Sequence, residues 1–277
     1  GQKVWTSGGQ IADMGMLIAR TNPEAPKHRG ITWFAIDMDQ PGIDVRPLVE
    51  MTGAAMFNEV FLDEARVPHA NMIGEEGQGW AVANTTLMFE RASLGSAGKS
   101  PASASGSGKR SVRSRPVTEF TQRAGGEQGL PPIGMRMWEK LVDVARKRGM
   151  ESDPVLRQEL VKIWSMLEVN RMSQVRAKDP KQRTGAEPNI GKLIMSDLFR
   201  GFRELGNAVI QTDGMLTGAD EPNTSGLIAE TTMFSPAPSI YGGTDQIQRN
   251  IIGERILGLP REPGPGKDTP FKDLPKN

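Results

Sequence analysis

Cysteine is absent from the 277 residues, which excludes disulfides, thiol nucleophiles and thiolate metal sites together. Histidine is nearly absent: His28 and His69 both sit beside loop-forming residues, too few for a His-rich metal centre or a persuasive catalytic triad, so no metal is expected. An excess of charge is also missing. Lys and Arg number 34 against 33 Asp and Glu, leaving a net charge of +1 and no field that would favour nucleic acid. No stretch approaches the roughly 20 apolar residues of a membrane span. The opening GQKVWTSGGQ lacks the charged and apolar regions of a signal peptide, so the expected location is the cytoplasm. Fifteen methionines suit core filling better than ligation.

What is present is organised around a stretch near the end, Ser239 to Arg261, SIYGGTDQIQRNIIGERILGLPR. A Tyr-Gly-Gly-Thr turn too flexible for a helix interior feeds an amphipathic run with Ile247, Ile251, Ile252, Ile256 and Leu259 at helical spacing. A Thr hydroxyl and free backbone N–H groups at a helix start offer a site for an anionic or carbonyl group. At the other end the chain opens on Gly rather than Met, with almost nothing ahead of Trp5 to cover a large aromatic, which reads as an amputated N-terminus.

Residues 1 to about 69 read as β structure. MGMLIAR, ITWFAIDMD, IDVRPLV and NEVFLDEARVP are short runs rich in Ile, Val and Phe, separated by turn signals such as Asn22-Pro23 and Gln40-Pro41-Gly42. After Gly77-Gln78-Gly79 the period changes, and Trp80, Ala83, Leu87 and Arg91 predict a helix to about Leu94. Between Gly95 and Pro132 the chain is Ser/Gly/Ala-rich, with Lys109, Arg110, Arg113 and Arg115 clustered but no interleaved aromatics, which predicts a disordered, solvated insert. Helical patterns follow: MRMWEKLVDVARKRG closing at Gly149, a run opened by Asp153-Pro154, a third over about Asn189 to Val209, and a fourth in the terminal stretch. Their apolar faces suggest a bundle. The expected class is α+β, with a middle β domain over 1–75, a C-terminal four-helix bundle over 76–265 interrupted by the insert at 96–132, and a tail over 266–277.

Six segments stand in a telling order: KVWTSG with ADMGMLIART (Lys3 to Thr21), GITWFAIDM, EVFLDEARVPHANMIGEEGQGW, LMFERASLG, EPNIGKLIMSD and YGGTDQIQRNIIGERILGLPR. Together they make the chain resemble an acyl-CoA dehydrogenase of the bacterial type with a helical insert, across nearly its full length. The resemblance implies a helical domain, a β domain and a four-helix bundle, with the first helical domain missing here. It also implies FAD as cofactor, an acyl-CoA substrate oxidised to a 2,3-enoyl-CoA, and electron-transfer flavoprotein as acceptor. A homo-oligomer, or a heteromer with a related subunit, is the implied assembly.

Site residues follow from the same resemblance. Many relatives carry the catalytic Glu directly after the Tyr of the terminal turn, where this chain has Gly242. A minority, the isovaleryl and long-chain types, carry it within an E-R pair in the helix after the β domain, which points to Glu90 as the base. On residue type alone Glu90 would be a surface carboxylate. Gly242 retains a backbone N–H for the thioester oxygen, and Arg91 either orients Glu90 or the CoA region or forms a plain helix salt bridge. Tyr241 is placed at the substrate. Trp5, Thr6 and Ser7 correspond to the segment lying along the flavin, and Thr244 and Gln246 to its other contacts. Gln211 and Gly214 are carried over from a glycine-rich flavin segment, whereas the usual R-x-x-F-G flavin motif is not visible. An acyl-CoA oxidase, a non-catalytic subunit of a heteromeric dehydrogenase, and an inactive truncated product are the alternatives.

Overall fold

The computed structural model describes residues 1–95, 133–215, 225–261 and 263–275, and the side chains of all of these except 89–95 and 225. The expected insert at 96–132 lies outside the described residues. The chain divides into two units: 1–90 with 263–275, and 91–95 with 133–215 and 225–261.

The first unit is built on two three-stranded antiparallel sheets. β1 (Gln2–Ser7), β5 (Phe57–Leu62) and β4 (Ile43–Leu48) form one, in the order β1-β5-β4. β2 (Met14–Arg20), β3 (Ile31–Asp37) and β6 (Met72–Ile73) form the other, in the order β2-β3-β6. β1 is an edge strand whose register against β5 shifts between Lys3 and Thr6, and Trp5 at that bulge has φ 61°. Buried Asn58 on β5 donates to Thr6 O (3.0 Å) across the bulge and so holds the irregular strand in place. The segment 263–275 packs back onto this unit. Phe271 N–H donates to Ala25 O (3.0 Å), the Arg20 guanidinium stacks 3.4 Å over the Phe271 ring, and Asp268 pairs with Arg29 at 2.7 Å.

Helix α1 (Gly79–Gly95) grows directly from the sheet. A Cβ on Gly79 would lie 2.7–2.8 Å from the backbone of Ile31 and Thr32, so only glycine lets the helix start this close to β3. Thr32, fully buried, accepts from Gly77 N–H (3.0 Å) and shares a hydrogen bond with Thr21 (2.8 Å).

The second unit contains α2 (Met135–Lys147), α3 (Pro154–Ala177), α4 (Glu187–Ile210), α5 (Ser225–Phe234) and α6 (Asp245–Ile251). Their ends follow local rules. Gly149 (φ 68°) closes α2, and the Asp153 carboxylate accepts from Val155 N–H (2.8 Å) and Leu156 N–H (3.2 Å) with Pro154 at the first turn of α3. At the start of α4 the Glu187 carboxylate accepts from the backbone and hydroxyl of Thr184, then from Gly185 N–H. The Thr184 bond is the main reason its pKa falls to about 2. The core joins Leu141 of α2, Leu156 and Ile163 of α3, Phe202 and Val209 of α4, and Ile228 of α5.

The periodicity gave no sign of α5. In the terminal stretch the inward face also differs from the expected one. Asp245 and Gln248 are the buried residues of α6, while Ile247, Ile256 and Leu259 are exposed, and the helix passes into a π turn over Ile252–Ile256 after two turns. The polar partners on α4, described below, make it favourable to bury polar side chains there.

Close packing ties α3 to α4 at one point. A Cβ on Gly201 would lie 2.3 Å from Ile163 Cδ1. Gly201→Ala is therefore expected to destabilise despite alanine's better helix propensity. Adding Ile163→Val, which deletes Cδ1 and alone costs about 0.5–1.5 kcal/mol, should relieve the clash. Urea melts of the two single variants and the double should show a coupling of about 0.5–3 kcal/mol; strict additivity would refute the contact.

Candidate functional site

The Tyr-Gly-Gly-Thr turn is reached through a short 3-10 turn, Ala237–Ser239, and Tyr241 N–H donates to Ala237 O (3.0 Å). Gly242 (φ 63°) and Gly243 (φ 85°) then take two successive left-handed conformations, which glycine adopts without steric cost. Thr244 is the N-cap of α6, its hydroxyl oxygen accepting from Ile247 N–H (3.2 Å). That use leaves the hydroxyl proton free to donate elsewhere. Among the described residues no acceptor engages Gly242 N–H, so this backbone donor is available.

One face of α4 holds the turn. Asn189, Lys192, Ser196 and Arg200 recur at intervals of three and four, so they line a single stripe of the helix. Lys192 Nζ lies 2.8 Å from Asp245 Oδ1, with both side chains almost fully buried. The Ser196 hydroxyl donates to the same oxygen (2.8 Å), and Arg200 reaches Asp245 Oδ2 at 3.2 Å. Burial alone would push the Asp245 carboxyl up. The Lys192 and Ser196 hydrogen bonds, the Lys192 charge and the Arg200 hydrogen bond outweigh it, so the carboxyl sits below the usual range. Beside this cluster Gln248, 1% exposed, donates from Nε2 to Gly242 O (2.8 Å) and Gly243 O (3.4 Å) while its Oε1 accepts from Asn189 Nδ2. The segments EPNIGKLIMSD and YGGTDQIQRN hold five of these six residues, all but Arg200, yet nothing local in the sequence pairs one segment with the other. Their one local signal is a polar stripe at helical spacing on α4.

The remaining candidates fall in separate places. Tyr241 has a buried hydroxyl with no partner among the described residues, and burial pushes it up to about 12. Gln246 is exposed on α6. Gln211 caps α4 with φ 53°, exposed, and a Cβ on Gly214 would lie 2.9 Å from Asn207 Oδ1. Gln211 comes fifteen positions after Ser196, about 22 Å along the helix. These two residues are thus distant from the turn.

In the β unit, Trp5, Thr6 and Ser7 are consecutive on β1. Trp5 is 62% exposed and meets Phe57 edge-on at 5.7 Å. Thr6 is half-buried and Ser7 exposed. A bulky residue at positive φ is an outlier, and such strain concentrates at functional sites. Glu90 lies in α1 eleven residues beyond Gly79, about 17 Å along the helix, and Arg91 follows it. No group of three or more His, Asp or Glu among the described residues could hold a metal ion, and no described helix is long and apolar enough to cross a membrane.

Two antiparallel sheets in one unit and a core of packed helices in the other make this an α+β protein. The family model described as acyl-CoA dehydrogenase, middle domain, matches residues 1–65, and that for the C-terminal domain matches residues 134–257. The chain belongs to the acyl-CoA dehydrogenase family, whose members are flavoprotein oxidoreductases. It is 34% identical over 263 residues to acyl-CoA dehydrogenase IpdE1 of Mycobacterium tuberculosis, covering 95% of this chain and 59% of that protein. Among solved structures it resembles the ChsE4-ChsE5 complex from Mycobacterium tuberculosis, with 25% identity, a TM-score of 0.69, and coverage of 95% of this chain and 61% of the other. It also shares the fold of the Tcur3481-Tcur3483 steroid ACAD, at 24% identity and TM-score 0.72 over 95% of this chain and 60% of that one. The chain therefore spans about three fifths of the length of these relatives.

Proposed function

We propose that the protein takes part in FAD-dependent α,β-dehydrogenation of an acyl-CoA thioester to a 2,3-enoyl-CoA. In this reading the electrons leave to electron-transfer flavoprotein, in the cytoplasm, as in β-oxidation of fatty or other lipid acyl chains. The observation that carries the reading is the Tyr241–Thr244 turn. In a chain of this family, it presents an unengaged Gly242 N–H beside a helix start anchored on α4.

The residues present suit a flavin. Trp5 offers an exposed indole on a strained edge strand, and Thr244 keeps a hydroxyl proton to donate. Trp5, Thr6, Ser7, Thr244 and Gln246 would hold the group, with Gln211 and Gly214 contributing from the far end of α4. When bound, FAD supplies the hydride acceptor for the substrate's β-carbon. The protein's own groups do the rest. The Glu90 carboxylate takes the proton α to the thioester carbonyl, and Gly242 N–H donates to the carbonyl oxygen as charge builds there. Tyr241 shapes the acyl side of the turn, and Arg91 orients Glu90 or the CoA.

Assembly with a related subunit is favoured over a homo-oligomer by two observations. Gly242 occupies the position after the turn tyrosine, and a solved relative at 25% identity is a complex of two different chains. The purified protein, alone and co-expressed with such a partner, should show a flavin absorbance band that bleaches on anaerobic addition of an acyl-CoA. A colourless protein in both preparations would overturn the reading.

A further inference from the structure

We propose that Gln248, oriented by Asn189, is the positioning residue of the terminal turn and thereby of the Gly242 N–H; the assignment of a purpose to that donor rests on the function proposed above. Two consecutive glycines have more backbone freedom than any other pair, so a turn built from them holds one geometry only if something outside it removes that freedom. The Gln248 carboxamide is placed to do so. Its Nε2 reaches two successive carbonyls, Gly242 O at 2.8 Å and Gly243 O at 3.4 Å. A Cβ at Gly243 would lie 2.8 Å from that same nitrogen, so the second glycine is what admits the carboxamide.

The peptide carrying the Gly242 N–H is bracketed. Tyr241 N–H is tied to Ala237 O (3.0 Å) on one side, and Gly242 O is tied to Gln248 on the other. With both neighbours fixed, the intervening peptide has one orientation although nothing within the turn bonds to it.

The carboxamide is itself fixed. Gln248 is 1% exposed and Asn189 6% exposed, and Asn189 Nδ2 donates to Gln248 Oε1, which settles which end of the Gln248 amide faces the turn. Thr244, Asp245 and Lys192 anchor the helix from which Gln248 projects, but none of their hydrogen bonds reaches the glycine carbonyls. The clamp on those two carbonyls is Gln248's alone among the described residues.

The required chemistry is a donor toward the turn, above all for the shorter bond to Gly242 O, and an acceptor toward Asn189. A protonated carboxylic acid meets that requirement and a carboxylate does not. Gln248→Glu should therefore work only while protonated, and Gln248→Leu should not work at any pH.

The test uses the full 277-residue chain and backbone 15N relaxation at Gly242 and Gly243. In the wild type both amides should have order parameters of about 0.85, the rigid-backbone range. In Gln248→Leu both should fall below about 0.6, while the helices α2 and α3 stay rigid. Gln248→Glu should be rigid at low pH and loosen as pH rises through the titration of the buried acid. Binding of an acyl-CoA, followed by calorimetry, should weaken about tenfold in Gln248→Leu, the loss expected for a misplaced hydrogen-bond donor. It should recover in Gln248→Glu at low pH.

Rigid glycines in Gln248→Leu, identical behaviour of the Leu and Glu variants at every pH, or wild-type affinity in a loosened variant would each overturn the proposal. A wild-type chain that binds no acyl-CoA while its glycines respond as described would sink the proposed function and uphold the clamp.

Discussion

Replacing Lys192 with methionine is expected to destabilise the helical unit by about 3–5 kcal/mol, because removing one partner of a buried pair leaves the other charge without compensation. The geometry makes this a demanding site. Lys192 Nζ and Asp245 Oδ1 are 2.8 Å apart with both side chains almost fully buried, and only Ser196 and a longer contact from Arg200 would remain for the carboxylate. Urea unfolding followed by tryptophan fluorescence, with Trp138 and Trp164 inside this unit, would measure the loss. Replacing both partners, as Lys192→Met with Asp245→Leu, should recover most of it, since an apolar pair of similar volume needs no compensation. A single variant within 1 kcal/mol of the wild type would show that the pair is not buried in solution.

The acid dependence has a definite sign. Asp245 has a folded pKa below its ordinary value, so its contribution is present above the unfolded pKa of about 3.9. It is lost as the pH falls through the lowered folded value. Glu187, held at about 2, acts in the same direction. Wild-type stability should therefore decline below about pH 4. In Lys192→Met burial dominates and raises the Asp245 pKa, so acidification should relieve that variant by protonating the stranded carboxyl. The two curves should converge on the acid side.

Exchanging Glu90 for glutamine should lower kcat by about 10²–10⁴-fold, the usual share of a positioned general base, while leaving flavin uptake intact. The change preserves size and hydrogen-bonding capacity and removes only the proton acceptor. The assay is acyl-CoA-dependent bleaching of the flavin in whichever preparation, alone or co-expressed with a related subunit, takes up flavin. The control is loss of the α-deuterium of an α-deuterated acyl-CoA to solvent, which reports abstraction at the α-carbon separately from hydride transfer. Unchanged turnover on every acyl-CoA tried would remove Glu90 from the mechanism. Gly242, which has no side chain, could not take its place.

Much of the local structure was legible in the residues. The strands after Ile11 show in residue type and turn signals, while the start of α1 behind Gly77-Gln78-Gly79, the Gly149 stop and the Asp153-Pro154 cap rest on interactions within a few positions of one another, and the structure has them all. Thr244 was readable as an N-cap for the same reason. The α5 helix was not, because its Thr pair and small apolar residues carry no clear period until Ile228 packs against Gly206. Apolar spacing also pointed the wrong way in the terminal stretch. Isoleucines at helical intervals suggested the inward face, yet Asp245 and Gln248 are the residues buried there.

By itself the sequence determined the family, the order of β unit and helical unit, most helix ends, and the candidates that lie within a single motif. These depend on residue type and short spacing, which the chain carries in full. The tertiary structure alone decided which polar groups are satisfied inside the protein. Lys192 meets Asp245 across 53 positions and Asn189 meets Gln248 across 59. The physical reason is the cost of burying polar groups. A carboxylate or carboxamide is buried only where its partner is delivered by another element, and no local pattern records that delivery. What the terminal motif shows as a flexible turn followed by an amphipathic helix becomes, once α4 is packed beside it, a rigid turn clamped by its own helix.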